Sequence, residues 1–126
     1  MIVGTGIDIV DIPRLRRILG RPGERFTARV FTPSEREYCL GHRDPVPHFA
    51  ARFAAKEALM KALGTGWGKG VSWRDAEVVR RRPAAPLLLL HGEAAAIAAS
   101  LGASAVHLSL THADGWAAAT VILEKR

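Results

Sequence analysis

Asp8 and Glu57 are the residues whose setting asks for chemistry. Asp8 stands in Gly4-Thr5-Gly6-Ile7-Asp8-Ile9-Val10, a β-rich run in which Val3, Thr5, Ile7 and Ile9 share one face of a strand and Gly4, Gly6 and Asp8 the other. Its glycine neighbours leave room for a ligand beside an ionised group on a strand that otherwise reads as buried. Glu57 stands in Phe49-Ala50-Ala51-Arg52-Phe53-Ala54-Ala55-Lys56-Glu57-Ala58, with Lys61 one helical turn on. A buried carboxylate is costly unless a cation meets it, and two neighbouring carboxylates are costlier still unless a metal lies between them. Asp8 and Glu57 together suit Mg²⁺, which keeps waters and completes its octahedron with phosphate oxygens, whereas two protein oxygens are few for calcium. The pair points to phosphoryl-type chemistry. A plainer account stands beside it: Asp8 as a helix cap or an arginine's partner, and Arg52–Lys56 and Glu57–Lys61 as two charge pairs at helical spacing. Asp11 is the better cap, and the apolar residues around Glu57 and Lys61 weaken the pair reading.

The glycine-rich segments and the histidines are the other candidates. Gly64-Thr65-Gly66-Trp67-Gly68-Lys69-Gly70 joins glycine to lysine, but a phosphate-binding P-loop needs glycine and a hydroxyl where this chain has Leu63 and Gly70. Gly4 and Gly6 are not followed by a third glycine, since position 9 is Ile9, so a dinucleotide fingerprint is absent. Lys69 can still meet a phosphate as a lone charge. His112 ends a strand beside a turn, where it can donate to a phosphate. His42, His48, His91 and His107 lack ligand-like spacing and read as surface or packing residues.

The elements that must position these residues follow from pattern. A strand over 2–10 is succeeded by a helix capped by Asp11 with Pro13 in its first turn and Leu15, Ile18 and Leu19 at helical spacing. A short helix over 24–30 and one from Thr32-Pro33-Ser34-Glu35 to Leu40 come next. Residues 48–63 contain no glycine or proline and form a helix that is apolar nearly all round, ended by Gly64. Strands over 72–79 and 87–90, an alanine-rich helix over 93–101, and strands over 105–112 and 116–124 joined at Ala113-Asp114-Gly115 complete an α+β arrangement in one domain over 1–126.

Composition sets bounds on function. The 126 residues and 48% hydrophobic content fit a globular chain with one core. Cys39 is the only cysteine, which rules out an intramolecular disulfide or a zinc site of several thiolates and fits a reducing cytoplasm. The apolar stretches are too short or interrupted for a membrane span, and no signal-type segment opens the chain. The net charge of +6 is concentrated: Arg14, Arg16, Arg17, Arg21, Arg25 and Arg29 face Glu24 alone within residues 14–29. Such a surface needs an acidic partner, and charge alone leaves nucleic acid, an anionic membrane and an acidic protein open. A small nucleic-acid-binding module is the competing reading, but apart from Phe26 and Phe31 the eight aromatic residues lie away from the basic stretch, so no stacking platform for bases is evident.

With Gly6-Ile7-Asp8-Ile9-Val10, the helix motif around Arg52 to Ala58, and Ser109-Leu110-Thr111-His112, the chain resembles the holo-[acyl-carrier-protein] synthases, small 4′-phosphopantetheinyl transferases of bacterial fatty acid synthesis. Gly68-Lys69-Gly70-Val71-Ser72-Trp73 and Leu90-His91-Gly92 fall in the family's order, so the likeness spans essentially the whole sequence. The resemblance implies an antiparallel sheet packed on helices, and transfer of 4′-phosphopantetheine from coenzyme A to a serine of a carrier protein, leaving adenosine 3′,5′-bisphosphate. It implies Asp8 and Glu57 as Mg²⁺ ligands and Lys61 as stabiliser of the developing phosphoryl charge, with Glu57 or a metal-ordered water taking the serine proton. It implies Arg52, Lys56 and His112 as contacts to the nucleotide's phosphates, and Gly64 with its loop as a place for close backbone approach. Because carrier proteins of this pathway are strongly acidic, it also implies Arg14, Arg21 and Arg25 as the carrier-binding residues. A relative serving a polyketide or peptide synthase would differ in carrier, not in chemistry. The Arg80-to-Pro86 connection departs from the longer Asn-Gly-Lys-type turn associated with the adenine-facing loop, and Thr111 keeps a hydroxyl where many relatives have serine. A homotrimer with active sites between subunits is implied as well, in keeping with more apolar surface than a chain of this size readily covers.

Overall fold

The structure, a computed structural model, describes residues 1–20, 23–66, 68–80 and 84–126. Its centre is helix α4, Val46–Leu63, twelve of whose residues are buried. Strands β1 (Ile2–Asp11), β5 (Trp116–Glu124) and β4 (Ala105–Ala113) form an antiparallel sheet in the order β1-β5-β4, one face of which packs on α4. Helices α1 (Ile12–Leu19), α2 (Gly23–Val30) and α3 (Pro33–Leu40) cover the start of α4; the hairpin of β2 (Ala76–Val79) and β3 (Leu87–Leu90) and helix α5 (Gly92–Ser100) complete the chain.

Local chemistry sets most boundaries. The Asp11 carboxylate accepts the Arg14 N–H at 3.0 Å to open α1. Thr32 and Glu35 exchange side-chain and backbone hydrogen bonds across the first turn of α3, satisfying two N–H groups at once. Helix α4 starts two residues before the predicted 48, because Pro47 is tolerated in a first turn where no N–H is needed. It ends at Gly64, whose φ of 76° lets its N–H turn back to Met60 and Lys61. Asp114 and Gly115, with φ of 50° and 84°, make the two-residue turn that pairs Ala113 with Trp116.

Two expectations are corrected. Residues 72–75 do not extend the strand: Ser72 donates to Asp75 Oδ1 at 3.1 Å, and that local bond winds Trp73–Asp75 into a 3-10 turn before β2 begins at Ala76. The room beside Gly4 and Gly6 is not left for a ligand either. A Cβ on Gly6 would run into the carbonyl oxygen of Ala58, and one on Gly4 into that of Ala62, so α4 itself fills the space. The glycine face is the core face, and Ile7 and Ile9 on the opposite face are 64% and 62% exposed. Val10 and Leu110 touch both the Leu59–Val121–Leu123 packing beneath the sheet and the Phe31–Cys39–Phe49 packing under α1 and α3. Burial pushes the Cys39 thiol up to about 12, which makes it inert.

Candidate functional site

Close approach of α4 to β1 creates the site. Asp8 follows Gly6 on the same strand face, just beyond the point where helix and strand are tightest, so its carboxylate emerges at the edge of that contact with 18% exposure. Lys61 reaches back from α4 and donates to Asp8 Oδ1 at 3.0 Å and to the Ile7 carbonyl at 2.9 Å. Asp8 and Glu57 both line a cleft of about 630 Å³ together with Asp11, Arg14, Phe53 and Trp116. Glu57 and Lys61 are one turn apart on α4, so both project toward β1.

This donor set fits a magnesium ion. It consists of two carboxylates from different elements in one open cleft, and the Lys61 ammonium already on Asp8 marks a place where positive charge is favoured. Among the described residues no group of three or more His, Cys, Asp or Glu side chains is placed to hold a metal ion.

Arg52 and His112 also come together, but in another pocket. Arg52 is 3% exposed, with its guanidinium 4.1 Å over the Tyr38 ring, a donated hydrogen bond to the His48 carbonyl at 3.5 Å, and a buried Nε without a partner. It opens onto a pocket of about 290 Å³ shared with His48, Arg80, Thr111 and His112. The carboxylate cleft and this basic pocket are thus separate within one chain. Gly64 lies exposed at the end of α4, and no atom comes within 4 Å of where its Cβ would be. Arg14 lies on the wall of the carboxylate cleft and Arg25 is exposed on α2, while Arg21, like residues 81–83 of the following connection, falls outside the described residues.

Lys56 departs from its expected place at the phosphates. Its side chain is fully buried, donating to Glu35 Oε1 at 2.8 Å, to the Trp73 carbonyl at 3.2 Å and to the Ala76 carbonyl. Glu35 is drawn inward by its own capping role and accepts from the Val78 N–H at 2.8 Å through its other oxygen, so Lys56 is the cation that makes this burial tolerable. Burial drives the Lys56 pKa down and Glu35 works against it. The ammonium has no face left for a ligand. Sequence reasoning treated Glu35 only as a helix start, and missed Glu77 altogether. Glu77 accepts from the Thr32 and Ser34 hydroxyls at 2.7 Å each and lies 2.9 Å from His91 Nε2. Burial would raise its pKa, but these hydrogen bonds outweigh that and hold it at about 2. A capping box beside a lysine in an apolar helix was the signal that could have exposed the first of these.

Comparison with known proteins shows the family. Residues 4–121 match the model of the 4′-phosphopantetheinyl transferase superfamily. The chain is 51% identical over 124 residues to a protein of Koribacter versatilis named holo-[acyl-carrier-protein] synthase, covering 98% of this chain and 99% of that one. It is 54% identical over 127 residues to one of the same name from Anaeromyxobacter, covering 98% and 97%. The holo-[acyl-carrier-protein] synthase of Neisseria meningitidis superposes with a TM-score of 0.89 at 34% identity, over 99% of this chain and all (100%) of that one. The Bacillus anthracis enzyme, solved in complex with coenzyme A (3′,5′-ADP), gives 0.82 at 38% identity over 100% and 99%. Agreement of sequence and fold along nearly every residue, with the α+β arrangement expected, places this chain in the 4′-phosphopantetheinyl transferase superfamily, beside the holo-[acyl-carrier-protein] synthases.

Proposed function

We propose that the chain transfers the 4′-phosphopantetheine group of coenzyme A to a serine hydroxyl of an apo acyl carrier protein, in the service of fatty acid biosynthesis in the cytoplasm. The observation that carries this reading is the cleft in which Asp8 and Glu57 face one space, with Lys61 on Asp8 and Arg14 on the wall. The serine oxygen attacks the β-phosphorus of the pyrophosphate, the bond to the bridging oxygen breaks, and adenosine 3′,5′-bisphosphate leaves with the electron pair. Asp8 and Glu57 would hold a magnesium ion, which supplies neutralisation of the pyrophosphate charge. Lys61, on the exposed rim, turns its ammonium to the phosphoryl oxygens as charge develops. The serine proton departs on the Glu57 side, to the carboxylate itself or to an ordered water.

Arg14 on the wall of this cleft and Arg25, exposed on α2, bind the acidic carrier together with Arg21, and act on encounter rather than on chemistry. No described helix is long and apolar enough to cross a membrane. Arg52 and His112 take the nucleotide's phosphates in their own pocket, with Gly64 bordering the loop that coenzyme A passes. Because that pocket and the carboxylate cleft are separate in one chain, the complete site uses two subunits of a homotrimer, each a single domain over residues 1–126. Ile7, Ile9 and Trp116, exposed at 64%, 62% and 51% on the open face of the three-stranded sheet, supply an apolar surface for that assembly.

The transfer is tested by chromatography of a reaction holding the protein, coenzyme A, Mg²⁺ and apo carrier. Adenosine 3′,5′-bisphosphate should accumulate one for one with modified carrier and not at all with a carrier whose acceptor serine is alanine; equal release without any carrier would overturn the reading. Mixing His112→Ala with Asp8→Asn protein should restore part of the activity through hybrid sites, and a fully active monomer in light scattering would exclude shared sites.

A further inference from the structure

The basic pocket holds a histidine cluster of which the proposed transfer uses only His112. The rings of His42 and His48 stack with centroids 3.6 Å apart and planes 23° from parallel, and His48 meets His112 edge-on at 5.2 Å. His42 is fixed by a contact of 2.9 Å between its Nδ1 and the Tyr38 carbonyl oxygen. Charged and titratable groups face His48 from every side: Tyr38 from α3, His42 and Asp44 from the following loop, Arg52 from its own helix and His112 from β4, with Arg80 on the same pocket. Asp44 is the carboxylate among them, and it is already engaged by Arg16 at 2.8 Å and by the Val46 N–H at 3.3 Å. Together with the buried, unpartnered Nε of Arg52, this leaves a pocket of about 290 Å³ short of negative charge.

We propose that His48, backed by His42, is a proton-linked contact for a phosphate monoester held over Arg52 and His112, so that binding the monoester takes up a proton on the histidine stack. This rests on the reading of the pocket as the place of coenzyme A's nucleotide phosphates, and adds to it a residue and a pH dependence. No bond to phosphorus is made or broken; a dianion and a proton enter together.

Two stacked imidazoles beside an arginine disfavour a further positive charge until an anion arrives. In the free protein burial, then His42, His112 and Arg52, hold the His48 pKa at about 4, with Asp44 pulling the other way. His48 is therefore neutral at pH 7, and an adjacent dianion shifts its pKa upward. A group whose pKa rises on binding takes up protons, so affinity strengthens as pH falls from 8 toward 6. Below that the monoester's own second ionisation, near about 6, works against binding.

Calorimetry of the wild-type protein with coenzyme A and with dephospho-coenzyme A, without carrier or metal, in two buffers of different ionisation enthalpy at pH 7.5, measures the linked proton directly. Coenzyme A should take up about 0.3 to 1 proton per site, and its affinity should fall by about two- to tenfold per unit rise in pH. Dephospho-coenzyme A, which lacks the monoester, should show almost no uptake, and His48→Gln should abolish the uptake of coenzyme A. Binding of coenzyme A without proton uptake, or with uptake unchanged in His48→Gln or equal for dephospho-coenzyme A, overturns the inference and leaves the transferase reading standing. If coenzyme A binds only with Mg²⁺ the same comparison is made in Mg²⁺, and failure of the wild-type protein to bind coenzyme A in either condition would overturn both. The wild-type comparison of the two ligands remains decisive if the variant does not fold.

Discussion

Lys56 and Lys61 stand on the same helix, and each meets a carboxylate from another element, at 2.8 and 3.0 Å. The Lys56–Glu35 pair is sealed, with both side chains fully buried, whereas Lys61 is 55% exposed and Asp8 18%. In the first pair every partner is protein: Lys56 serves Glu35 and two carbonyls, and Glu35 answers Lys56, Val78 and the start of α3. That pair ties α3, α4 and β2 together and offers nothing to a ligand. In the second, the ammonium stands exposed on Asp8, which lines the cleft, and such an open ion pair contributes about 0–1 kcal/mol to the fold but keeps charge available for substrate. Both pairs join a lysine of α4 to a carboxylate at nearly the same distance; burial separates structure from chemistry.

Substitution should split the two pairs along that line. The largest effect falls on turnover: Asp8→Asn and Glu57→Gln, which keep shape and remove charge, should each lower the transfer rate by about 10²- to 10⁴-fold. Their thermal midpoints should stay within a few degrees of wild type. Next comes Lys56→Met, which strands Glu35 in the core and should cost about 3–5 kcal/mol in chemical denaturation, part of it recovered on adding Glu35→Gln. Lys61→Met should do the reverse, changing stability by less than about 1 kcal/mol and slowing transfer by about 10²-fold. Equal stability losses for the two lysine variants would erase the distinction.

Glu77 sharpens the comparison from the structural side. Its folded pKa of about 2 lies below the usual 4.5, so the stability it contributes is present above pH 4.5 and is lost as pH falls from 4.5 toward 2. By linkage that is on the order of 3 kcal/mol. Acid unfolding of Glu77→Gln should lose this limb of the pH profile, whereas Asp8→Asn should retain it. The smallest effect is expected at the basic surface, where Arg14→Glu with Arg25→Glu should weaken carrier association at low salt by about tenfold while leaving coenzyme A affinity nearly unchanged.

The sequence made the elements legible wherever local chemistry set them. Asp11, the Thr32–Glu35 box, Gly64 and Asp114-Gly115 are caps and turns that act over two to four residues, and the structure has each of them. Periodicity made Asp8's strand face and the shared helix face of Glu57 and Lys61 readable, while their meeting in one place rested on the cost of paired carboxylates and on the family resemblance. Long-range partners were not legible. Nothing local distinguishes a glycine that admits a ligand from Gly6, which admits the backbone of α4, nor a lysine that meets phosphate from Lys56, which meets Glu35 from 21 residues away. The His42–His48–His112 cluster joins residues from three elements and has no spacing to betray it.

The central claim, that the Asp8–Glu57 cleft carries out the transfer, is tested most directly by the intact mass of an apo carrier protein after incubation with coenzyme A and Mg²⁺. Wild-type protein should add one phosphopantetheine to the carrier's serine, while folded Asp8→Asn protein, and wild-type protein in excess chelator, should leave the carrier unmodified over the same interval. Full conversion by Asp8→Asn, or undiminished conversion in chelator, would contradict the account.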